Sequence, residues 1–427
     1  MFEKQFCTSP WFSMRIKANG NFAYCRWAED HEEHNIKDTN IKEYFQNTLS
    51  SYRKKLLDGE FVAGCHVCHA MEKHNKVSGR QKQLLKTGIQ HNNLKTLHTS
   101  SIIEKLKHSQ NNNGHTDMMP VDWQIDLGNY CNSACVMCLP DWSSRLATEL
   151  YEIGITAEKP QRWVWSDDET CLGKFIDTLD TTKNLKYLHF LGGETTIMPA
   201  FKKILKHLVQ TEKSKNLIIG FTTNLTTWNE ELILLLEQFK EVHVGLSVES
   251  LTPLNDYIRW PSNINDVRNT MEKWIECSTT DNSWFVSLRT TPNLLSISEI
   301  DRVFEFAFEK NIGIESCHFL YRPECLQIQG LSLDLRSPII KRLENFIRTH
   351  KQDEELILNV RNKLFAKQAV IQDAESLLNF LKNEPYVTTH HKNLITYIKK
   401  LEKHRHNRIL DYIPHYEKFF TSIGYNC

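Results

Sequence analysis

Three cysteines fall within eight residues, as Cys131-Asn-Ser-Ala-Cys135-Val-Met-Cys138, directly after a run that reads as a β-strand, WQIDL at 123–127. No other feature constrains the fold so tightly, because the backbone after that strand must wrap until three sulfurs face one point. Thiolates suit zinc or an iron–sulfur cluster. Three ligands leave a four-coordinate site one short, which is how reactive sites, rather than structural ones, are built. The bland alternative is three unrelated buried cysteines.

Nine further cysteines need sorting: Cys7, Cys25, Cys65, Cys68, Cys171, Cys277, Cys317, Cys325 and Cys427. The N-terminus, MFEKQFCTSP, has no hydrophobic signal region. No apolar run approaches the roughly 18–20 residues of a membrane span. A cytoplasmic location is therefore expected, where thiols stay reduced and clustered cysteines point to metal or catalysis. With 52 Lys+Arg against 52 Asp+Glu, charge gives no reason to expect a nucleic acid or an acidic membrane as partner. The 427 residues are enough for about two to three globular domains.

Between 120 and 322, β-rich runs alternate with amphipathic stretches. After 123–127 come LKYLHFL (185–191), NLIIGFTT (216–223), VHVGLSV (242–248), WFVSLRT (284–290) and IESCHFL (314–320). Helical spacing sets Phe201, Ile204, Leu205 and Leu208 on one face after Pro199, and Val267, Met271, Trp274 and Ile275 on another. A further helix carries Ile300, Val303, Phe304 and Ala307, with Ser298 as its expected N-cap. Six strands alternating with helices predict an α/β fold with a parallel sheet, either an open barrel or a doubly wound sheet. Four segments are expected: 1–90 with its own cysteines, a polar linker at 91–117, a core at 118–325 and a helical C-terminal extension at 326–427. In that extension Lys399, Lys400, Lys403, His404, Arg405 and Arg408 read as a solvated basic face, with an acidic partner as the alternative.

The C-x3-C-x2-C pattern after the first strand resembles the signature of the radical S-adenosylmethionine (SAM) enzymes, although Met137 stands where that family usually has an aromatic residue. The resemblance implies that Cys131, Cys135 and Cys138 hold a [4Fe–4S] cluster whose fourth iron binds SAM. It also sharpens the fold to a partial (β/α)6 TIM-like barrel. Leu191-Gly192-Gly193-Glu194 is similar to the family's motif for the SAM amino group. By the same resemblance Asn224, in Thr222-Thr223-Asn224, and Ser247 and Glu249, in Ser247-Val248-Glu249, are candidate SAM contacts, and Arg289 would meet the SAM carboxylate. Asp256-Tyr257-Ile258-Arg259 resembles a family segment too. Each motif sits at the C-terminal end of a different strand, the face on which parallel (β/α) folds assemble active sites. Short polar residues at strand ends are common in any case, and Arg289 also reads as a salt-bridge or surface charge.

The N-terminal set combines a chelating pair, Cys65-His66-Val67-Cys68, with Cys7 and Cys25. Asn19-Gly20 between alternating apolar residues predicts a β-hairpin turn. The spacing Cys7-x12-Gly20-x4-Cys25 resembles the opening of SPASM and twitch domains, which implies an auxiliary [4Fe–4S] cluster on these four cysteines. Such modules usually follow the barrel, whereas this one precedes it. Zinc is the alternative, with His66, His69 and His74 nearby. Glu72, Ser78 and Arg80 either anchor this loop or reach the active site. The other cysteines read as packing residues.

The resemblance implies reductive cleavage of SAM to a 5′-deoxyadenosyl radical, which abstracts hydrogen from a peptide, a protein side chain or a small alcohol. It implies a low-potential electron donor such as flavodoxin or ferredoxin. The competing reading is a non-catalytic zinc-binding or scaffold protein using the same cysteines.

Overall fold

In the computed structural model of the chain, the described residues are 6–25, 28, 34–73, 77–86, 99–316, 320, 322–351 and 363–425. Cys317, Cys427 and His74 lie outside them. Among the described residues eight strands are found: β1 (Ser13–Ile16), β2 (Phe22–Ala23), β3 (Asp122–Asp126), β4 (Tyr187–Leu191), β5 (Ile218–Thr223), β6 (Glu241–Ser247), β7 (Trp284–Thr290) and β8 (Gly313–Ser316). The last six fall on the six expected runs, with helices between them, so the α/β expectation and its (β/α)6 alternation hold. Among the described residues, no helix is long and apolar enough to cross a membrane.

The chain divides into two compact units, and β5 contributes to both. The first comprises residues 1–129, 163–220 and 234–240. Its strands run in the order β2-β1-β3-β4, followed by the first half of β5. β1 and β2 form the expected hairpin, antiparallel with Arg15 opposite Ala23, and Gly20 takes φ +88° at its turn, where only glycine is unstrained. β1 then pairs in parallel with β3, Met14 opposite Trp123, and β3 with β4, Gln124 opposite His189. The cysteine-bearing N-terminal segment thus enters the same sheet as the first core strand. Within the stretch expected to be a linker, Thr99–Asn111 is a helix.

One face of these strands is apolar, and the side chains of Trp123, Ile125, Leu188, Phe190 and Ile219 on it are buried. The other face buries a charge pair between β1 and β3. Arg15 Nε donates to Asp126 Oδ2 at 3.0 Å, and the Asp126 side chain is only 1% exposed. Helix Glu169–Thr181 is capped by Asp168, which accepts from the Thr170 and Cys171 amides, and it buries Cys171 as a packing residue. Helix Pro199–Gln210 opens on its proline, whose missing N–H costs nothing in a first turn.

The second unit comprises residues 130–162, 221–233 and 241–427. It holds the rest of β5, then β6, β7 and β8. β6 and β7 pair in parallel with Val244 opposite Val286, as do β7 and β8 with Leu288 opposite Ile314. Helix Ile264–Thr280 buries the predicted face of Val267, Met271, Trp274 and Ile275. Ser298 is not the cap of Ile300–Glu309. A 3-10 turn, Ile297–Glu299, runs into that helix, so the cap position falls on Glu299, which makes no side-chain cap bond. The C-terminal region is helical as expected, with Leu333–Lys351, Lys363–Asn383, His391–Arg405 and Glu417–Ser422.

The Arg15–Asp126 pair yields a test of this arrangement. Removing one partner of a buried ion pair strands the other, at a cost of about 3–5 kcal/mol. Asp126→Ala should therefore lower the urea midpoint of the chain clearly; an unchanged midpoint would contradict the pairing.

Candidate active site

From Tyr130 the chain leaves regular structure, so the peptide groups of the cysteine loop need partners elsewhere. The second unit supplies them. The Ala134 and Val136 amides donate to the carbonyls of Trp260 (2.6 Å) and Ile258 (2.8 Å), and the Cys138 amide donates back to the Cys135 carbonyl (3.0 Å). The Asn132 carbonyl accepts from Arg145 Nη1 at 3.0 Å, and the Ser133 carbonyl from Ser143 Oγ at 2.7 Å. Ser143 is also the N-cap of helix Ser144–Glu152, accepting from the Leu146 amide, so the loop is tied to the helix that follows it. Cys135 is buried, while Cys131 and Cys138 are partly exposed. Burial pushes the Cys138 thiol up to about 12, with the nearby Cys135 adding to it. Burial also raises the Cys135 thiol, and the Arg259 charge opposes this. Thiols held this way become good ligands only when positive charge joins them.

One positive charge is already present. Arg259 Nη1 lies 3.7 Å from Cys135 Sγ, and its Nη2 donates to Glu249 Oε1 at 2.7 Å. The Glu249 side chain has no exposure. Its other oxygen accepts from the Thr291 amide (2.8 Å) and Thr290 Oγ1 (3.0 Å). Burial raises the Glu249 carboxyl above its usual range, and Arg259 with the two threonines pulls it back. Burial disfavours the Arg259 charge, but Cys135 and Glu249 outweigh it and its pKa rises. The cation is thus fixed beside the cysteine sulfur.

In the first unit, Cys7, Cys25, Cys65 and Cys68 line one small pocket together with Arg80 and Gly64. Cys65 closes the 3-10 turn Ala63–Cys65, and Cys68 sits one turn on in helix His66–Lys73, which places both on one side. Burial pushes the Cys7 thiol up to about 11 and raises Cys68 as well. Arg80 Nε donates to Glu72 Oε1 at 3.0 Å, and Ser78 Oγ donates to the same carboxylate. Glu72, Ser78 and Arg80 are therefore anchors of this loop. His66 turns its Nδ1 to the Ala63 carbonyl at 3.1 Å. Four thiols around one pocket are a donor set for either a zinc ion or an iron–sulfur cluster.

Residues 125–307 match the family model described as Radical SAM superfamily. This stretch is a radical SAM superfamily domain. No curated protein matches the sequence. Among solved structures, Streptococcus suis SuiB bound to S-adenosylmethionine aligns at TM-score 0.39 and 12% identity, over 82% of this chain and 70% of that one. SuiB bound to its precursor peptide SuiA gives 0.38 and 13%, over 81% and 70%. Native anSMEcpe with bound AdoMet and Cp18Cys peptide gives 0.38 and 15%, over 54% and 59%. Likenesses this remote carry nothing about substrate or reaction.

Within the radical SAM domain, Asn224 Nδ2 donates to Asn132 Oδ1 (2.7 Å) and Ser133 Oγ (2.9 Å). The β5 end therefore holds the cysteine loop directly. Ser247 is buried opposite Arg289 in the β6/β7 register. Arg289 forms an ion pair with Glu315, its neighbour on β8, and its stem crosses Gly245, where a Cβ would lie 2.8 Å from Arg289 Cγ. Gly192, Gly193 and Glu194 belong to the first unit. Glu194 is 2% exposed and caps the turn after β4, accepting from the Thr196 amide (3.2 Å) and Thr196 Oγ1 (2.7 Å). Sequence reasoning picked out the segment of Arg259 but not its place beside Cys135. It also put Arg405 on a solvated face, whereas the Arg405 side chain is fully buried. Its spacing after Tyr397 and Leu401, both buried, was the available signal, because residues four apart share a helix face.

Glycine at the first position of the Gly-Gly pair is a checkable requirement. Gly192 has φ +83°, and a Cβ there would meet the Gly128 carbonyl oxygen at 2.6 Å. Gly192→Ala should cost at least about 1–3 kcal/mol. Gly173→Ala, in mid-helix with nothing within 4 Å of the added carbon, should stabilise by about 0.5–1 kcal/mol. Thermal melts that ranked the two variants the other way would contradict this geometry.

Proposed function

We propose that Cys131, Cys135 and Cys138 hold a [4Fe–4S] cluster, and that the chain uses it to cleave SAM and start hydrogen abstraction from a substrate. The observation that carries this reading is the cysteine loop itself. Its three thiols lie in a radical SAM domain, on a backbone fixed from both sides, beside the buried cation of Arg259. The donor set fits the group, since three sulfurs leave one iron free for a further ligand. When bound and reduced, such a cluster supplies the electron that breaks the SAM sulfonium bond.

The chain's own residues do the rest. Arg259 offsets the negative charge gathered by three thiolates, and Glu249 keeps that cation in place. Cys135, at 8% exposure, sits on the side closed to solvent. The partly exposed Cys131 and Cys138 border the side left open. Asn224 fixes Asn132 and Ser133, which lie between the first two ligands, Cys131 and Cys135. The left-handed Gly192-Gly193 turn lets the backbone after β4 pack against the Gly128 carbonyl, and both glycines are read as SAM contacts. Glu194 brings a carboxylate there for the SAM ammonium group, and Ser247 offers a hydroxyl at the β6 end. In the first unit, the pocket of Cys7, Cys25, Cys65 and Cys68 is read as the seat of an auxiliary cluster, with Arg80 as its cation. Four thiols would close that coordination, which suits electron transfer or a structural role.

Anaerobic reconstitution tests both sites in one preparation. The wild-type protein should be brown, with about eight irons per chain, and should form 5′-deoxyadenosine from SAM once reduced. Cys135→Ala should lose about half the iron and all SAM cleavage. Cys65→Ala with Cys68→Ala should lose the other half. Colourless protein holding only zinc, or a Cys135→Ala variant that still cleaves SAM, would contradict the reading.

A further inference from the structure

The C-terminal helix His391–Arg405 presents most of its basic residues to solvent, as expected of a surface helix. Two side chains on its inner face do something else. Tyr397 OH donates to the Val136 carbonyl at 2.9 Å. Arg405 Nη2 donates to the Ala134 carbonyl at 2.6 Å. Ala134 and Val136 are the two neighbours of Cys135. Their amides are already held by Trp260 and Ile258, so these two carbonyls complete the backbone partners on both sides of the central cysteine.

Arg405 ties further elements together. Its Nε and Nη2 donate to the two carboxylate oxygens of Glu149 at 2.7 and 2.6 Å. Glu149 lies on the helix Ser144–Glu152, which follows the cysteine loop. Arg405 Nη1 donates to the Tyr257 carbonyl at 3.2 Å, two residues before Arg259. The guanidinium also lies 5.2 Å from the Trp260 ring centroid. The loop, the helix after it and the segment carrying Arg259 therefore share one buried fork. Only a guanidinium can serve these partners at once, because its five donors point in fixed planar directions.

We propose that Arg405 and Tyr397 are positioning residues for the cysteine loop, and that the C-terminal helical region is thereby a working part of the cluster site. This rests on the reading of Cys131, Cys135 and Cys138 as cluster ligands. An Arg405–Glu149 pair serving stability alone would fasten two helices and leave the loop carbonyls to other donors. Here Arg405 reaches the Ala134–Cys135 peptide unit, and Tyr397 reaches the Val136–Met137 unit between the second and third ligands.

The test begins with full-length protein free of metal. Hydrogen–deuterium exchange is read on the peptide covering 131–138 in the wild type, Tyr397→Phe and Arg405→Lys. Loss of one bond to Val136 should speed exchange of the loop about fivefold in Tyr397→Phe. Arg405→Lys, which loses the bridged geometry, should speed it about tenfold or more. Exchange in β7 should stay unchanged in both. After anaerobic reconstitution with iron and sulfide, Tyr397→Phe should bind wild-type iron yet form 5′-deoxyadenosine about fivefold more slowly. If Arg405→Lys fails to fold, Tyr397→Phe decides alone. Loop exchange and turnover equal to a wild type that does bind iron and cleave SAM would overturn this proposal and leave the cluster reading standing. A wild type that takes up no iron would overturn both.

Discussion

Irregular backbone carrying three thiols has to be satisfied by hydrogen bonds from outside itself, and the second unit is organised around that need. Segments distant in sequence converge on residues 131–138. The β5 end sends Asn224 to Asn132 and Ser133. The stretch after β6 sends the carbonyls of Ile258 and Trp260 to the Val136 and Ala134 amides. The helix after the loop sends Ser143 and Arg145. The loop is thus held both through its peptide groups and through the side chains of Asn132 and Ser133.

Both cysteine sets come with a buried arginine held by a carboxylate. Arg259 with Glu249 stands beside Cys135, and Arg80 with Glu72 borders the pocket of Cys7, Cys25, Cys65 and Cys68. A buried ion pair is weak evidence of stability, since desolvation offsets much of its attraction. Under the proposed ligand assignments, each arginine would supply counter-charge to the thiolates where water cannot, with the carboxylate fixing its direction.

Much of this was legible in the sequence. Short β-rich runs between helical stretches located β3 to β8, and the cysteine spacing located the loop. The hairpin turn at Asn19-Gly20 followed from its residues. The parts that stayed hidden share a physical cause: they depend on long-range pairing. No local pattern shows that β1 pairs with β3, or that Thr99–Asn111 forms a helix inside a polar stretch. Arg405 looked like one more charge on a basic helix because its partners, Ala134, Glu149 and Tyr257, lie more than 140 residues away. Arg289 reads from sequence either as a SAM contact or as half of a salt bridge, and the identity of its ion-pair partner, Glu315 on the neighbouring strand, is visible only in the fold.

The central claim is that the loop of Cys131, Cys135 and Cys138 holds a cluster with one iron open to SAM. It is tested most directly by electron paramagnetic resonance of the reduced, reconstituted protein in which Cys7, Cys25, Cys65 and Cys68 are all replaced by Ala, so that only this loop can carry iron. The account predicts a [4Fe–4S] signal whose g-values shift when SAM is added, as its amino and carboxylate groups take the open iron. A signal unmoved by SAM, or no signal at all from the folded variant, would contradict it.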